Sequence, residues 1–126
     1  MRRMNRRKSN QYFHVYILVS QESEDLVKVG KANNLSRTRS LARMGYAGRG
    51  DWTHIASFPM NSDHEAIALE SLVIAKLSNQ GHKLPRMSWT NRINGKPSYA
   101  DECFSCSSSH AITVANEMAS LLEQHI

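Results

Sequence analysis

Tyr12-Phe-His-Val-Tyr-Ile-Leu-Val-Ser20 and Leu26-Val-Lys-Val-Gly30 are two strand-like runs joined through the polar link Gln21-Glu-Ser-Glu24. Side chains alternate between the two faces of a strand, so Phe13, Val15, Ile17 and Val19 share one face and His14, Tyr16 and Leu18 the other. In the second run Val27 and Val29 face one way, and Leu26, Lys28 and Gly30 the other. The link is short enough for an antiparallel hairpin. Pairing the apolar faces then sets a phenol, Tyr16, and an ammonium, Lys28, on the same side of one sheet, although eleven residues separate them in the chain.

Outward from this hairpin, a helix begins near Asn34 or Ser36, runs through Arg43 and ends at Gly45, with Asn33 and Asn34 as turn formers. Trp52-Thr-His-Ile-Ala-Ser-Phe58 alternates like a third strand and is closed by Pro59. Ser62-Asp-His-Glu65 is a capping-box pattern, in which Ser and Glu reciprocally satisfy free backbone donors, and it opens a helix reaching about Ser78. The stretch from Gly81 to Ala100 has turn signals at Pro85, Asn94-Gly95 and Pro97 and no clear period, so it reads as an irregular insertion over about 79–101. A short extended piece follows. Ser107 to Ser109 can then cap a last helix whose Ile112, Ala115, Met118, Leu122 and Ile126 form an apolar stripe. The fold class is α+β: a small antiparallel sheet of about three strands flanked by helices. The 126 residues divide into a basic, flexible N-terminal arm over 1–11 and a single domain over 12–126.

Charge is unevenly spread, and the spread says more than the net +5. Arg2, Arg3, Arg6, Arg7 and Lys8 account for the excess, while the remaining eleven Lys and Arg balance the eleven Asp and Glu. No acid interrupts Lys28, Lys31, Arg37, Arg39, Arg43 and Arg49, nor a second stretch of Lys83, Arg86, Arg92 and Lys96. A polarised chain with a basic arm is the electrostatic footprint of a nucleic-acid binder. Lys31, Arg39, Arg43, Arg86 and Arg92 are the candidates for DNA contact. In the insertion, Trp89 and Tyr99 stand among the cations, which suits either following a DNA backbone or wedging at a groove; the alternative is a solvated loop with Trp89 tucked onto the core. No apolar run approaches the roughly 18–20 residues of a membrane span, and no signal-peptide core follows the basic start, so the expectation is a cytoplasmic protein with no membrane partner.

Glu70 stands out on the second helix. Ala66, Leu69, Val73 and Leu77 make its apolar stripe, with Ile67 and Ile74 alongside, and Glu70 lies within that stripe. A carboxylate directed toward the core is costly unless paired or metal-bound. One reading pairs it with Lys28 or an Arg of the first helix. The other makes it a hard-cation ligand, since one carboxylate with phosphate oxygens and waters is a common way to hold Mg²⁺. Cys103-x-x-Cys106 with His110 lacks a nearby fourth ligand for a closed zinc site, and alternation around it more simply buries Cys103 or Phe104. Glu102 can serve as a partner for the basic face.

These residues, taken in order, resemble the two-part signature of the GIY-YIG endonuclease superfamily: His14-Val-Tyr16, then Lys28-Val-Gly30. The likeness is closest to its phage T5 open-reading-frame and meiotically upregulated-gene branch, where Lys-Ile-Gly often replaces Tyr-Ile-Gly. Gly30-Lys-Ala-Asn-Asn-Leu35 resembles the turn after that triplet in the excision-repair nucleases. Ala68-Leu-Glu70 and Glu102-Cys-Phe104 fit the branch's helix-borne Glu and its later Glu-Trp-Phe-like triplet. The resemblance implies a GIY-YIG-like fold and metal-dependent hydrolysis of DNA phosphodiester bonds with Mg²⁺ or Mn²⁺, in a phage or mobile-element setting. It makes Tyr16, Lys28, Arg37 and Glu70 catalytic and Glu70 the metal ligand. Tyr16 would be the general base or relay for water. A free phenol has a pKa of about 10, so Lys28 would supply the field that helps it lose a proton. An arginine of the first helix would grip the scissile phosphate, for which its planar fork is suited. Arg37 takes that role if the preceding turn is one residue short, and Arg39 if it is not. His14 stands where the first triplet usually opens on glycine.

Two classes of function follow. One is the Mg²⁺-dependent endonuclease; the other is a non-cleaving nucleic-acid-binding module that keeps the fold and the basic arm. Retention of Tyr16, Lys28 and Glu70 together favours the first, because binding alone needs no carboxylate in an apolar stripe. Double-strand cleavage by one small site would call for a homodimer or for successive nicks.

Overall fold

A computed structural model describes residues 13–32 and 36–124, with the side chains of residues 23, 24 and 36–38 left undescribed. The proposed arm over 1–11 and the Arg37 side chain lie outside the described residues.

Strands β1 (His14–Ser20) and β2 (Ser23–Ala32) form the expected antiparallel hairpin, with Tyr16 opposite Gly30 and Leu18 opposite Lys28. Its turn is held by Asp51, which accepts from the Ser20 hydroxyl at 2.9 Å and from the Glu22 N–H at 2.6 Å. Strand β3 (Trp52–Pro59) pairs with the other edge of β1. A fourth strand, β6 (Cys103–Ser105), pairs with β2 and places Cys103 opposite Lys28, giving the order β3-β1-β2-β6. This fourth strand is the short extended piece of the sequence. Its edge is covered in turn by residues 82–84, since Leu84 N–H donates to Cys103 O at 3.0 Å and Ser105 N–H to His82 O at 2.8 Å.

Helix α1 (Ser36–Met44) stops at Gly45, which takes the left-handed conformation at φ 77° that glycine adopts without a Cβ penalty. A single 3₁₀ turn, Tyr46–Gly48, follows. Helix α2 (Asp63–Asn79) is capped by Ser62, whose hydroxyl accepts from Glu65 N–H at 3.2 Å. The Glu65 carboxylate returns to the N–H of Asn61 rather than of Ser62, so the capping box closes one residue early. Helix α3 (Ser108–Gln124) is capped by Ser107, which accepts from His110 N–H at 3.1 Å.

The insertion departs from expectation. Instead of an irregular segment over about 79–101, it contains a second antiparallel hairpin, β4 (Met87–Thr90) and β5 (Pro97–Ala100). Its strands are four residues each, too short to show a period, and Asn91, Asn94 and Gly95 make the connecting turn. Asn91 Oδ1 accepts from the N–H of Ile93 and Asn94, and Gly95 sits at φ 73°.

Both faces of the main sheet are covered. On one, Val15, Ile17, Val27 and Val29 pack with Ala66, Leu69, Val73 and Leu77 of α2 and with Ala111, Val114 and Ala115 of α3. On the other, Tyr16, Leu18 and Leu26 pack with Leu41 of α1, Tyr46, Trp52 and Cys103, and Met87 and Trp89 of the second hairpin lean on the same cluster. The alternation read from the two runs therefore sorts residues between two buried layers, with Tyr16 and Lys28 in the second. Cys103 and Cys106 are both buried but lie in opposite layers.

Candidate active site

The site is built on β2. Lys28 is 4 % exposed, and an ammonium at that depth needs compensation. Its Nζ donates to Glu102 Oε1 at 3.0 Å and to the Val29 carbonyl at 3.3 Å. It also lies 4.7 Å from the centroid of the Tyr46 ring and 5.8 Å from that of Tyr16, a cation held against two aromatic faces. Burial works against the charge. The Tyr16 and Tyr46 phenols and the Glu102 carboxylate outweigh it, so the Lys28 ammonium is held above the ordinary lysine range. It is a fixed positive charge at the base of the site.

Tyr16 is 1 % exposed, and its ring lies directly over Gly30. A Cβ built on Gly30 would come within 2.4 Å of the Tyr16 Cζ and Oη. Glycine at this register position is what lets the phenol lie across the strand toward Lys28. Tyr46, just past the end of α1, supplies a second phenol from outside the sheet. Burial pushes it up to about 12 against the pull of the Lys28 ammonium. No feature of the sequence singled it out beyond an aromatic placed immediately after a helix-stopping glycine. The Cys103 thiol beside it is raised by burial, and Cys106 likewise, so both behave as packed thiols rather than nucleophiles.

Glu70 stands on α2, which covers the opposite face of the sheet, and its carboxylate feels the charges of Lys28, Lys31 and Glu102. It is half-buried, and among the described residues no hydrogen bond or ion pair reaches its carboxylate. The partner it might have had, Lys28, is bound to Glu102 instead. Burial, and secondarily the charge of Glu102, raise the Glu70 pKa against the pull of Lys28 and Lys31. A half-buried oxygen donor with no partner suits a hard divalent cation, which would restore its charge.

The candidate DNA contacts are distributed unequally. Arg39 and Arg43 are exposed on α1, the helix covering the Tyr16 and Lys28 face. Lys31, near the end of β2, pairs with Asp63 at 2.8 Å. Arg86, just before β4, and Arg92, in the turn of the second hairpin, are both engaged locally. Arg86 makes a two-pronged pair with Asp101 and stacks 4.9 Å over Tyr99, while Arg92 donates to the Gly48 carbonyl at 3.2 Å. A cleft of about 350 Å³ separates this hairpin from α1, with Lys28, Tyr46 and Glu102 along one side and Asn91 and Ser98 along the other.

An α+β sheet whose central hairpin presents Tyr16 and Lys28 to a basic helix, with a glutamate arriving from the next helix, defines a GIY-YIG-like, nuclease-associated domain. The T5orf172 domain model matches residues 13–119, and the chain belongs to that family. No curated protein and no solved structure matches the chain.

Proposed function

We propose that this domain is a metal-dependent endonuclease that hydrolyses DNA phosphodiester bonds, using Mg²⁺ or Mn²⁺. The observation that carries the reading is a pair of commitments: Lys28 is buried and tied to Glu102, while Glu70, within range of the Lys28 charge, is half-buried and has no hydrogen-bonding partner among the described residues. A structural ion pair would have used Glu70 and Lys28 together. Glu70 is the residue that would hold the cation, which when bound polarises the phosphoryl oxygens and eases departure of the leaving oxygen. Tyr16 accepts or relays the proton of the attacking water, and Lys28 provides the fixed positive charge next to it. Arg37 or Arg39 of α1 grips the scissile phosphate, and Arg43 and Lys31 extend the basic surface along the strand being cut.

The test is nicking of supercoiled plasmid in Mg²⁺, Mn²⁺ or EDTA by wild type, Tyr16→Phe, Lys28→Met and Glu70→Ala. Nicking that needs the cation and drops at least 10²-fold in each variant is the expected result. Salt-sensitive DNA retention without cleavage, equal in all four proteins, would replace this reading with a binding module.

A further inference from the structure

We infer that the second hairpin is a wedge that distorts duplex DNA beside the active site, with Ile93 as its point. The inference rests on the nucleic-acid reading above and specifies the substrate as a duplex that can be kinked. Ile93 is 67 % exposed and Tyr99 59 %, the two most exposed large apolar side chains among the described residues, and both belong to this hairpin. Ile93 sits at the tip, between Arg92 and Lys96 in the chain, and no acid occurs from Gly81 to Ala100. A bare aliphatic side chain amid cations matches the chemistry of a duplex groove, where phosphates flank an apolar stack and isoleucine is among the side chains that pry base steps apart.

A wedge must also hold its shape, and a set of hydrogen bonds fastens this turn. Asn91 Oδ1 accepts from the Ile93 and Asn94 N–H groups, Asn94 Oδ1 accepts from Lys96 N–H, and Gly95 N–H donates to the Asn91 carbonyl. At its turn, next to Ile93, the hairpin is clamped to the end of α1: Arg92 N–H donates to the Met44 carbonyl at 2.9 Å, and the Arg92 side chain runs over Gly45 and Gly50. Asn91, at the start of the turn, lines the cleft that also holds Lys28, and Ile93 follows two residues on. On β5, Tyr99 is exposed with Arg86 stacked over its ring at 4.9 Å, which adds an aromatic and a cation to the hairpin.

The experiment measures energy transfer between dyes at the two ends of a short duplex, in EDTA so that cleavage plays no part. Wild type is expected to shorten the end-to-end distance, consistent with a kink of about 20–90°. Ile93→Ala should lose more than half of that change while affinity at low salt falls no more than about threefold, because phosphate contacts dominate it. A duplex carrying a central mismatch bubble, already unstacked, should restore the bend in Ile93→Ala. Equal bending by both proteins, or none by wild type, overturns the inference. So does sedimentation showing that Ile93→Ala converts a dimer to a monomer, which would make Ile93 a self-association surface. Bending that persists when plasmid nicking fails would keep the wedge and remove only the catalytic reading.

Discussion

At the residue scale the site depends on one absence, the missing side chain at Gly30. The Tyr16 ring occupies the space a Cβ would take, at 2.4 Å, so Gly30→Ala must displace the phenol or push the strands apart. Overpacking of this kind costs about 1–3 kcal/mol. Gly30→Ala is therefore expected to remain folded, to lose about that much stability in urea unfolding, and to nick plasmid about 10²-fold more slowly, as a misplaced reacting group does. Unchanged nicking would detach Tyr16 from the chemistry. The pairing at Lys28 has its own asymmetry. The Lys28 side chain is 5 % exposed and that of Glu102 39 %, so losing the carboxylate strands a buried ammonium, whereas losing the ammonium leaves a carboxylate that water can reach. In the proposed mechanism Glu102 is thus the support and Lys28 the working charge.

At the element scale, long periodic segments were legible and short ones were not. The stripe Ala66, Leu69, Val73 and Leu77 is fully buried on α2, as its spacing requires, because a 3.6-residue period repeats several times in seventeen residues. The second hairpin has no such repetition, and its four-residue strands are specified by what they pack against. Met87 and Trp89 lean on the Tyr46 cluster, and Trp89 meets Tyr46 edge-on at 5.5 Å. Arg92 is the fastening. Removing it forfeits the hydrogen bond to Gly48 and the packing over Gly45 and Gly50, so Arg92→Ala is expected to cost about 1 kcal/mol and to loosen the hairpin. Trp89 emission, followed in a Trp52→Phe background, should shift to the red as the indole gains water. No shift would mean that the backbone bond to Met44 suffices to hold the hairpin.

At the scale of the whole molecule, a half-buried carboxylate such as Glu70 shows itself as a stability deficit. The Glu70 pKa is raised in the folded state, so the native protein binds that proton more tightly than the unfolded chain. Stability from this group is greatest below the unfolded carboxyl value of about 4.3, falls as pH rises toward the folded pKa, and stays lower above it. Glu70→Gln is expected to melt at a higher temperature than wild type at pH 7–8, with the gap closing as the buffer is taken to acid pH. Mg²⁺ should reverse the order, since it stabilises only the protein that binds it, by about 1.4 kcal/mol at ten times Kd. If Mg²⁺ raises the melting temperature of both proteins equally, the cation is not held by Glu70. Among the described residues no helix is long and apolar enough to cross a membrane.

The sequence by itself determined the α+β class, the first hairpin, the meeting of Tyr16 and Lys28, and the amphipathic helix carrying Glu70. Each follows from local rules: alternation fixes a strand's faces, and a cap with a helical period fixes a helix. Glu102 pairs with the basic face as its sequence position suggested, but tertiary structure alone decided that Lys28 is the cation it meets, that Tyr46 closes over the same ammonium, and that the stretch around Arg92 is a clamped hairpin. Those outcomes join residues 74 positions apart in one case, Lys28 with Glu102, and no local pattern encodes such a meeting. It exists because β6 returns along β2 and sets Cys103 opposite Lys28, which brings the next carboxylate within reach of a buried charge.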